Sequence, residues 1–452
     1  MSRRVVTAAI AAMATLVLCA DPAGAHGVGT RSDLPLDFSQ FALGGATALV
    51  LSFVIVGRTW TRGRLTRAAA GRAVPTWLER LAVGAGWVGR VLGAALFVLT
   101  VAAAFVGPDD PNRNLAPYAV FVTMWVGAQL VSGVLGDVWR AVSPFETIAA
   151  VLGRIAPRRR LHAAPAWTPW AALVGLGGLL WLELGYHDGS RPRVLGVALV
   201  AYTASIAAGT WTWGREWLRR AEGFGVLFSL IGAIGVFFRD ERGLRLRAPV
   251  SGLALRRFGP AILAVVLVVL GGTTFDGLSG TEQWRDVIGA RSGWDETIVN
   301  TVGLIAVIAA IAGAYLVFAT LAGRVTENTA DAALVFGPSL VPILFGYTVA
   351  HYFSLFVLDG QAVLRQLSDP FGQGSDWFGT ADWRVDFRLV STTTIAWIQV
   401  LAIVGGHIAG VVVAHDRALD DEQPDIAIRS QYPLLAVMVL YTVLGLWLLW
   451  NA

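Results

Sequence analysis

One hydrophobic segment carries a histidine at a depth where polar side chains are costly. Residues 335–359 read VFGPSLVPILFGYTVAHYFSLFVLD, and at ~1.5 Å per residue the apolar part spans ~35 Å, enough to cross a ~30 Å hydrocarbon core. His351 lies inside this segment, where a histidine needs a hydrogen-bonding partner or a function. Pro338 and Pro342 free backbone groups that must find partners. The sequence therefore predicts a centrally packed helix with a polar site on it.

Other polar residues are expected near the same exoplasmic depth, namely His26, Asp276 and Asp359, with Glu183 and His187 close by. Imidazole and carboxylate together suit Zn, Cu, Ni or Fe, so a divalent transition metal is a candidate cofactor for His26, His351, Asp276 and Asp359. No HxH or HExxH spacing supports a metal locally. The alternative is that Asp276 and Asp359 close helix ends while His351 makes interhelical hydrogen bonds.

A second pair of polar residues, Gln399 and His407, lies in a later apolar segment. Counted from the predicted outer surface, His351 is ~10 Å deep and His407 is ~27 Å deep, too far apart to share one ion. They could instead be stations along a polar path. His415 is expected at the cytoplasmic edge as a solvated residue. Small residues in this segment predict close helix packing: Gly405, Gly406 and Gly410.

The elements that must position these side chains are membrane-spanning helices. With 55% hydrophobic residues, 15% charged residues and 18 Trp, the chain is typical of an all-α, polytopic transmembrane bundle in a lipid bilayer. The net charge of +4 does not predict nucleic-acid binding, because the arginines fall in loops that flank membrane segments. We predict ten spans: 37–57, 87–106, 117–136, 168–186, 194–213, 258–276, 298–321, 334–358, 389–413 and 432–450.

The N-terminal 25 residues resemble a secretory signal peptide. Arg3 and Arg4 precede an apolar run, and Ala23-Gly24-Ala25 gives a small-x-small cleavage site. Cleavage would leave residues 26–452 as one transmembrane domain beginning at His26; an uncleaved first helix is the alternative. Arginine asymmetry between loops predicts a plasma-membrane protein whose mature N-terminus and C-terminus are both exoplasmic. The single cysteine, Cys19, excludes a disulfide or thiolate site in the mature chain.

Two features break the simple succession of spans. Residues 144–156 and 223–235 are apolar but only 13 residues long, so we predict interfacial or re-entrant helices. Each follows a pair of spans, which predicts a weak parallel repeat of 87–156 and 166–235. The longest exoplasmic segment is the loop 359–388, which is rich in Pro, Gly and Asp and is expected to be an ordered, turn-rich cap.

Five stretches together resemble a family of actinobacterial membrane proteins known as fenitrothion hydrolases. They are HGVGTRSDLPL (26–36), GDVWRAVSPFETI (136–148), GTTFDGLSG (272–280), AHYFSLFVLDGQ (350–361) and GGHIAGVVVAHDRAL (405–419). The resemblance implies hydrolysis of an organophosphate ester. It places His26, Asp276, His351, Asp359 and His407 at the matching positions.

Three functions therefore remain open. In a membrane hydrolase, a metal ion would activate water and polarise a phosphoryl oxygen of a small-molecule substrate. Its ligands would be His351 and either Asp359 or Asp276, with His26 completing the coordination shell. In a permease or metal-handling protein, His351, Gln399 and His407 would line a path, and the proline-broken span would move. An assembly or scaffold protein would need neither a bound ion nor a polar path. A site confined to the outer leaflet favours catalysis, whereas a polar track to His407 favours transport.

Overall fold

The computed structural model describes residues 37–155, 162–326 and 331–451. The predicted signal peptide and His26 lie outside the described residues. Within them the fold is an all-α helical bundle, as predicted. The helices are α1 Phe38–Thr59, α2 Leu65–Ala69, α3 Thr76–Val106, α4 Leu115–Leu135, α5 Trp139–Val142, α6 Pro144–Ile155, α7 Thr168–Leu184, α8 Pro192–Ala221, α9 Gly223–Ile231, α10 Pro260–Ser279, α11 Glu282–Ile288, α12 Trp294–Val325, α13 Ala332–Phe336, α14 Leu340–Ser368, α15 Thr392–Asp421, α16 Pro424–Ser430 and α17 Tyr432–Asn451.

Apolar helices occupy all ten predicted span positions. In the described parts of the chain, nine are long and apolar enough to cross a membrane, and α7 is a shorter apolar helix. A 3₁₀ turn, Thr168–Ala171, begins α7, and the helix is ~26 Å long at 1.5 Å per residue. The predicted boundaries are less accurate than the positions, because α3 begins at Thr76 and not at residue 87.

The helix that carries His351 lies in the core, as its prolines predict. A 3₁₀ turn, Gly337–Ser339, joins α13 to α14, and this unit and α10 are the most buried spans, with 72% of the apolar window buried in each. The neighbouring α15 approaches closely through glycine: a Cβ on Gly406 would lie 2.7 Å from Pro342 O, and one on Gly410 would lie 2.9 Å from Ser339 O. Close packing is thus confirmed at these two positions but not at Gly405, whose Cβ would meet nothing within 4 Å.

The two ends of the bundle differ in construction. At one end, called here the hairpin end, β2 (Phe237–Asp240) and β3 (Gly243–Leu246) form an antiparallel hairpin, and β1 (Arg72–Ala73) pairs with the other edge of β3. The Arg247 guanidinium donates to Gly232 O at 2.9 Å and Gly235 O at 3.1 Å, tying the hairpin to the preceding turn. Such short strands carry too few residues for a periodicity signal, so the sequence did not reveal them.

The opposite end, called here the capped end, carries the loops 107–114, 185–191, 280–293 and 369–391. The predicted loop 359–388 is shorter than expected, because α14 continues to Ser368. This extension is held by packing of Ala362, which is 3% exposed, and by Gln366 Nε2, which donates to Asn112 O at 2.9 Å. Contacts with the α3–α4 loop thus stabilise helical structure at 359–368, where the sequence analysis predicted the start of a turn-rich loop.

The two predicted short segments are helices of 12 and 9 residues, α6 and α9. Both are too short to cross a bilayer. Similar corners precede them: Gly136 (φ 126°, ψ −167°) and Gly214 (φ 77°, ψ −165°) adopt a backbone conformation that favours glycine. A buried tryptophan follows each glycine by three residues, Trp139 and Trp217. The parallel repeat remains a prediction that these paired corners support.

Candidate functional site

Two of the predicted site residues form a direct pair near the capped end. Asp276 lies in the last turn of α10, and His351 lies within α14. His351 Nε2 is 3.0 Å from Asp276 Oδ2, and the Tyr352 hydroxyl donates to the same carboxylate oxygen at 2.5 Å. The side chains of Asp276 and His351 are 18% and 23% exposed. The pair is therefore partly open although both residues belong to the two most buried spans.

This geometry fixes the state of the His351 ring. A carboxylate accepts hydrogen bonds, so in the neutral ring Nε2 carries the hydrogen and Nδ1 keeps a lone pair. Among the described residues, none forms a hydrogen bond with Nδ1. The Asp276 carboxylate thus orients an imidazole whose second nitrogen is free to accept a proton.

Two unused polar atoms lie beside the pair. Glu183, in the last turn of α7, interacts electrostatically with both Asp276 and Tyr352, and its Oε2 is buried without a hydrogen-bond partner in the described chain. Trp125, in α4, lies beside Tyr352, and its buried Nε1 also makes no hydrogen bond of good geometry. Four helices therefore meet around one unused acceptor and one unused donor, an arrangement suited to a polar ligand.

The other predicted ligands do not join this pair. Asp359 lies eight residues after His351 on the same helix, ~12 Å further along its axis, where it interacts electrostatically with Tyr118. In the described ranges, no hydrogen bond or ion pair connects Asp359 with Asp276 or His351. His26 lies outside those ranges. No group of three or more His, Cys, Asp or Glu side chains in the described residues is arranged to hold a metal ion.

His187, expected at the same depth, belongs to a separate cluster. Its Nδ1 is 2.8 Å from the Thr297 hydroxyl, and its ring packs edge-on against Tyr186 and Trp294. It therefore positions the α7–α8 loop against α12. His415 is also placed differently from expectation, because it is fully buried and not solvated.

The two residues of the predicted polar path are both buried. Gln399 is 3% exposed and His407 is 2% exposed, and both lie on α15. His407 Nδ1 is 2.8 Å from Ile403 O, whereas its Nε2 is buried and has no partner in the described residues. Between His407 and His351 lie two tyrosines that the sequence analysis did not single out, Tyr347 and Tyr441.

A sequence signal for the missed residues does exist. Tyr347 precedes His351 by one helical turn, and Tyr352 follows it directly, so polar rings flank the histidine inside one span. A buried tyrosine hydroxyl usually needs a hydrogen-bond partner. Trp125 could not be recognised in this way, because tryptophan is also common as a packing residue and interface anchor.

Comparison with known proteins does not extend this description: no family model, curated protein or solved structure matches the chain.

Proposed function

We propose that this integral membrane protein is a hydrolase of organophosphate triesters and that His351, oriented by Asp276, is its general base. The observation that carries the proposal is the His351 ring, which has one nitrogen bonded to a carboxylate and the other without a hydrogen bond to any described residue. The sequence resemblance to fenitrothion hydrolases supports the reaction class, since two of the five similar stretches contain Asp276 and His351. Neutral aryl triesters partition into apolar surroundings, which suits a site between spans.

The chemistry follows from the pair. A water proton moves to His351 Nδ1 as the water oxygen attacks phosphorus, and the bond from phosphorus to the aryl oxygen breaks. The aryl oxide leaves with the bonding electrons, and the imidazolium later returns its proton to solvent or to the leaving group. Asp276 stabilises the imidazolium through the 3.0 Å contact. The Tyr352 hydroxyl holds the carboxylate in position at 2.5 Å.

Two buried polar atoms beside the His351–Asp276 pair could bind the phosphoryl oxygen and the attacking water. Trp125 Nε1 is a buried donor that makes no hydrogen bond of good geometry within the described residues, and a phosphoryl oxygen that gains negative charge is an acceptor. Glu183 Oε2 is a buried acceptor without a partner in the part of the chain that the structure describes, and it can hold the second hydrogen of the attacking water. These residues would position the reactants, while His351 carries the proton.

The residues at the site do not fit the metal ligand set that the sequence suggested. The closest imidazole nitrogen and carboxylate oxygen are hydrogen-bonded to each other, Asp359 is elsewhere on its helix, and no three-ligand group exists in the described chain. We therefore assign no step of the reaction to a metal ion.

The test is release of 4-nitrophenolate from diethyl 4-nitrophenyl phosphate by the purified protein in detergent. His351→Gln keeps a hydrogen-bonding side chain but lacks a base, so turnover should fall by ~10²–10⁴-fold. The matched control is Asp359→Asn, on the same helix but away from the pair, which should keep wild-type turnover. Turnover by the wild type no faster than buffer, or equal loss in both variants, would contradict the proposal. Size-exclusion profiles show whether each variant is folded.

A further inference from the structure

His407 is a second histidine with an open acceptor, deeper in the bundle. Because a carbonyl oxygen only accepts, its contact with Ile403 O at 2.8 Å requires the hydrogen on Nδ1 of the neutral ring. Nε2 then presents a bare lone pair, and this buried atom has no hydrogen-bond partner in the described residues. Native proteins rarely leave such an atom unused without a functional reason.

Aromatic hydroxyl residues connect His407 with the His351–Asp276 pair. The Tyr441 ring lies 5.8 Å from the His407 ring and 6.4 Å from the Tyr347 ring, and Tyr347 stacks on His351 at 6.0 Å and 16°. These are distances between ring centroids, and proton transfer along the series needs a hydroxyl or one bridging water at each step. The rings form a continuous series from the capped end to His407.

Two contacts on α10 place the hydroxyls of this series. Tyr441 Oη is 2.6 Å from Thr274 Oγ1, and Thr274 in turn donates to Leu270 O at 2.7 Å. Tyr347 Oη lies against Gly277, where an added Cβ would be only 2.5 Å from it. Glycine at this position lets the Tyr347 hydroxyl reach α10 one residue from Asp276. Thr274 and Gly277 are three residues apart, so the two tyrosine hydroxyls approach one face of α10.

We propose that His407 is a proton-binding station supplied from the capped end through His351–Asp276, Tyr347 and Tyr441, and that the protein conducts protons along this path. A proton taken up at the His351–Asp276 pair passes between hydroxyls and bridging waters, each accepting one proton and releasing another, until Nε2 of His407 accepts it. In the described residues, the ionisable groups along the path are Asp276, His351, Tyr347, Tyr441 and His407, with Glu183 and Tyr352 beside Asp276. This proposal does not rest on the hydrolase proposal.

Release toward the hairpin end has a structural basis in the same helix pair. Pro338 and Pro342 cannot donate a backbone hydrogen bond to the preceding turn, and the 3₁₀ turn Gly337–Ser339 interrupts the helix there. At this level Gly406, the residue before His407, packs against Pro342 O. Movement of the broken start of α14 past α15 would therefore uncover His407 on the hairpin side.

The experiment uses the full chain reconstituted in liposomes that contain a pH-sensitive dye, with a potassium diffusion potential driving protons inward. Wild-type vesicles should acidify faster than protein-free vesicles, and His407→Gln should return the rate to that background. Tyr441→Phe removes only a hydroxyl and should slow the flux severalfold. Tyr315→Phe is the control, because the hydroxyl of this buried tyrosine donates to Ala333 O at 2.7 Å, away from the path. It should keep the wild-type rate.

A wild-type rate equal to that of protein-free vesicles, or an unchanged rate in His407→Gln, would overturn the proposal. Equal slowing by Tyr441→Phe and Tyr315→Phe would do the same, since it would show a general packing effect. Triester hydrolysis by the same preparations separates the two proposals: His407→Gln and Tyr441→Phe should lose flux and keep hydrolysis. Flux without hydrolysis in the wild type would remove the hydrolase proposal and leave the proton path intact.

Discussion

Histidines at the two ends of the bundle are held in different ways. At the hairpin end, His415 is fully buried; its Nε2 donates to Trp60 O at 3.0 Å, and its Nδ1 accepts from Gln431 Nε2 at 3.0 Å. Both ring nitrogens are used, so this imidazole joins α15 to the junction between α16 and α17 and to the α1–α2 loop. Near the capped end, the His351 ring uses Nε2, and its Nδ1 has no hydrogen bond to the residues that the structure describes. Burial alone therefore does not separate the two histidines, whereas the use of the second ring nitrogen does.

The carboxylates beside these two histidines, Asp416 and Asp276, also differ in what they bind. Next to His415, Asp416 Oδ1 accepts from the backbone N–H groups of Arg64 at 2.6 Å and Leu65 at 3.1 Å, fixing the start of α2. Asp276 instead accepts from two side chains, His351 and Tyr352. A carboxylate that binds backbone groups stabilises a loop. One that binds an imidazole changes what the imidazole can do.

The largest expected effect is on hydrolysis, in Asp276→Asn. Asparagine keeps the shape of the side chain, but its amide cannot stabilise an imidazolium as a carboxylate does, and it can select the wrong ring tautomer. Turnover per folded molecule should fall by ~10²–10⁴-fold, comparable to losing the base itself. The measurement is 4-nitrophenolate release at several pH values. Unchanged turnover would mean that the pair is structural and that the comparison with His415 fails.

The second effect is on stability, in His415→Ala. Removing the ring leaves the Gln431 amide and Trp60 O without their partner in a buried place, which should lower the free energy of unfolding by ~2–3 kcal/mol. Thermal unfolding can be followed by the fluorescence of the 18 tryptophans. His351→Gln provides the contrast, with little change in stability. A stable His415→Ala protein that has lost hydrolysis would reverse the roles assigned to the two ends.

Much of this arrangement follows from sequence, and the rest depends on packing between distant segments. Helix length and hydropathy predict the spans, and residue depth places Asp276 and His351 near one surface. The partner of each nitrogen is not predictable, because α10 and α14 are far apart in the chain and only their packing brings Asp276 within 3.0 Å of His351. Asp359 is the opposite case. The sequence predicted it on the same helix face as His351 and at a similar depth, but it does not contact the His351–Asp276 pair.

His415 illustrates why the prediction of a solvated residue was wrong. Its neighbours Asp416 and Arg417 are charged, which suggested an exposed helix end. In the structure, both charges are used internally, and Arg417 Nη1 donates to Ala254 O at 3.1 Å. Loops at the hairpin end thus cover residues that the sequence places at the membrane surface.

A smaller effect tests whether an unused buried atom is sufficient to indicate function. Asp137, just beyond α4, pairs with Arg140 through Oδ2 at 2.8 Å, while its buried Oδ1 has no partner among the described residues. Burial raises the pKa of Asp137 above its usual range, against the opposing influence of Arg140 and Arg256. The folded protein therefore binds this proton more tightly than the unfolded chain, and stability from this group falls as pH rises through the folded pKa.

Asp137→Asn should remove that part of the pH dependence. Relative to wild type, the variant should become more stable as pH rises from the usual aspartate range toward neutrality, measured by thermal unfolding across that range. Hydrolysis and proton flux should be unchanged, because Asp137 lies at the hairpin end. If hydrolysis fell with Asp137→Asn, an unused atom at either end would affect catalysis, and the distinction between the two ends would not hold.

The smallest expected effect is that of chelation. Because His351 Nε2 and Asp276 Oδ2 bond each other, and no three-ligand group exists in the described residues, incubation with EDTA followed by desalting should leave triester hydrolysis unchanged. The matched measurement is metal content of wild type and His351→Gln, which should be equal. Loss of hydrolysis on chelation, restored by Zn²⁺ and abolished in His26→Gln, would instead make His26 a ligand beside His351. The capped end would then differ from the hairpin end by a bound ion, and not by an open imidazole nitrogen.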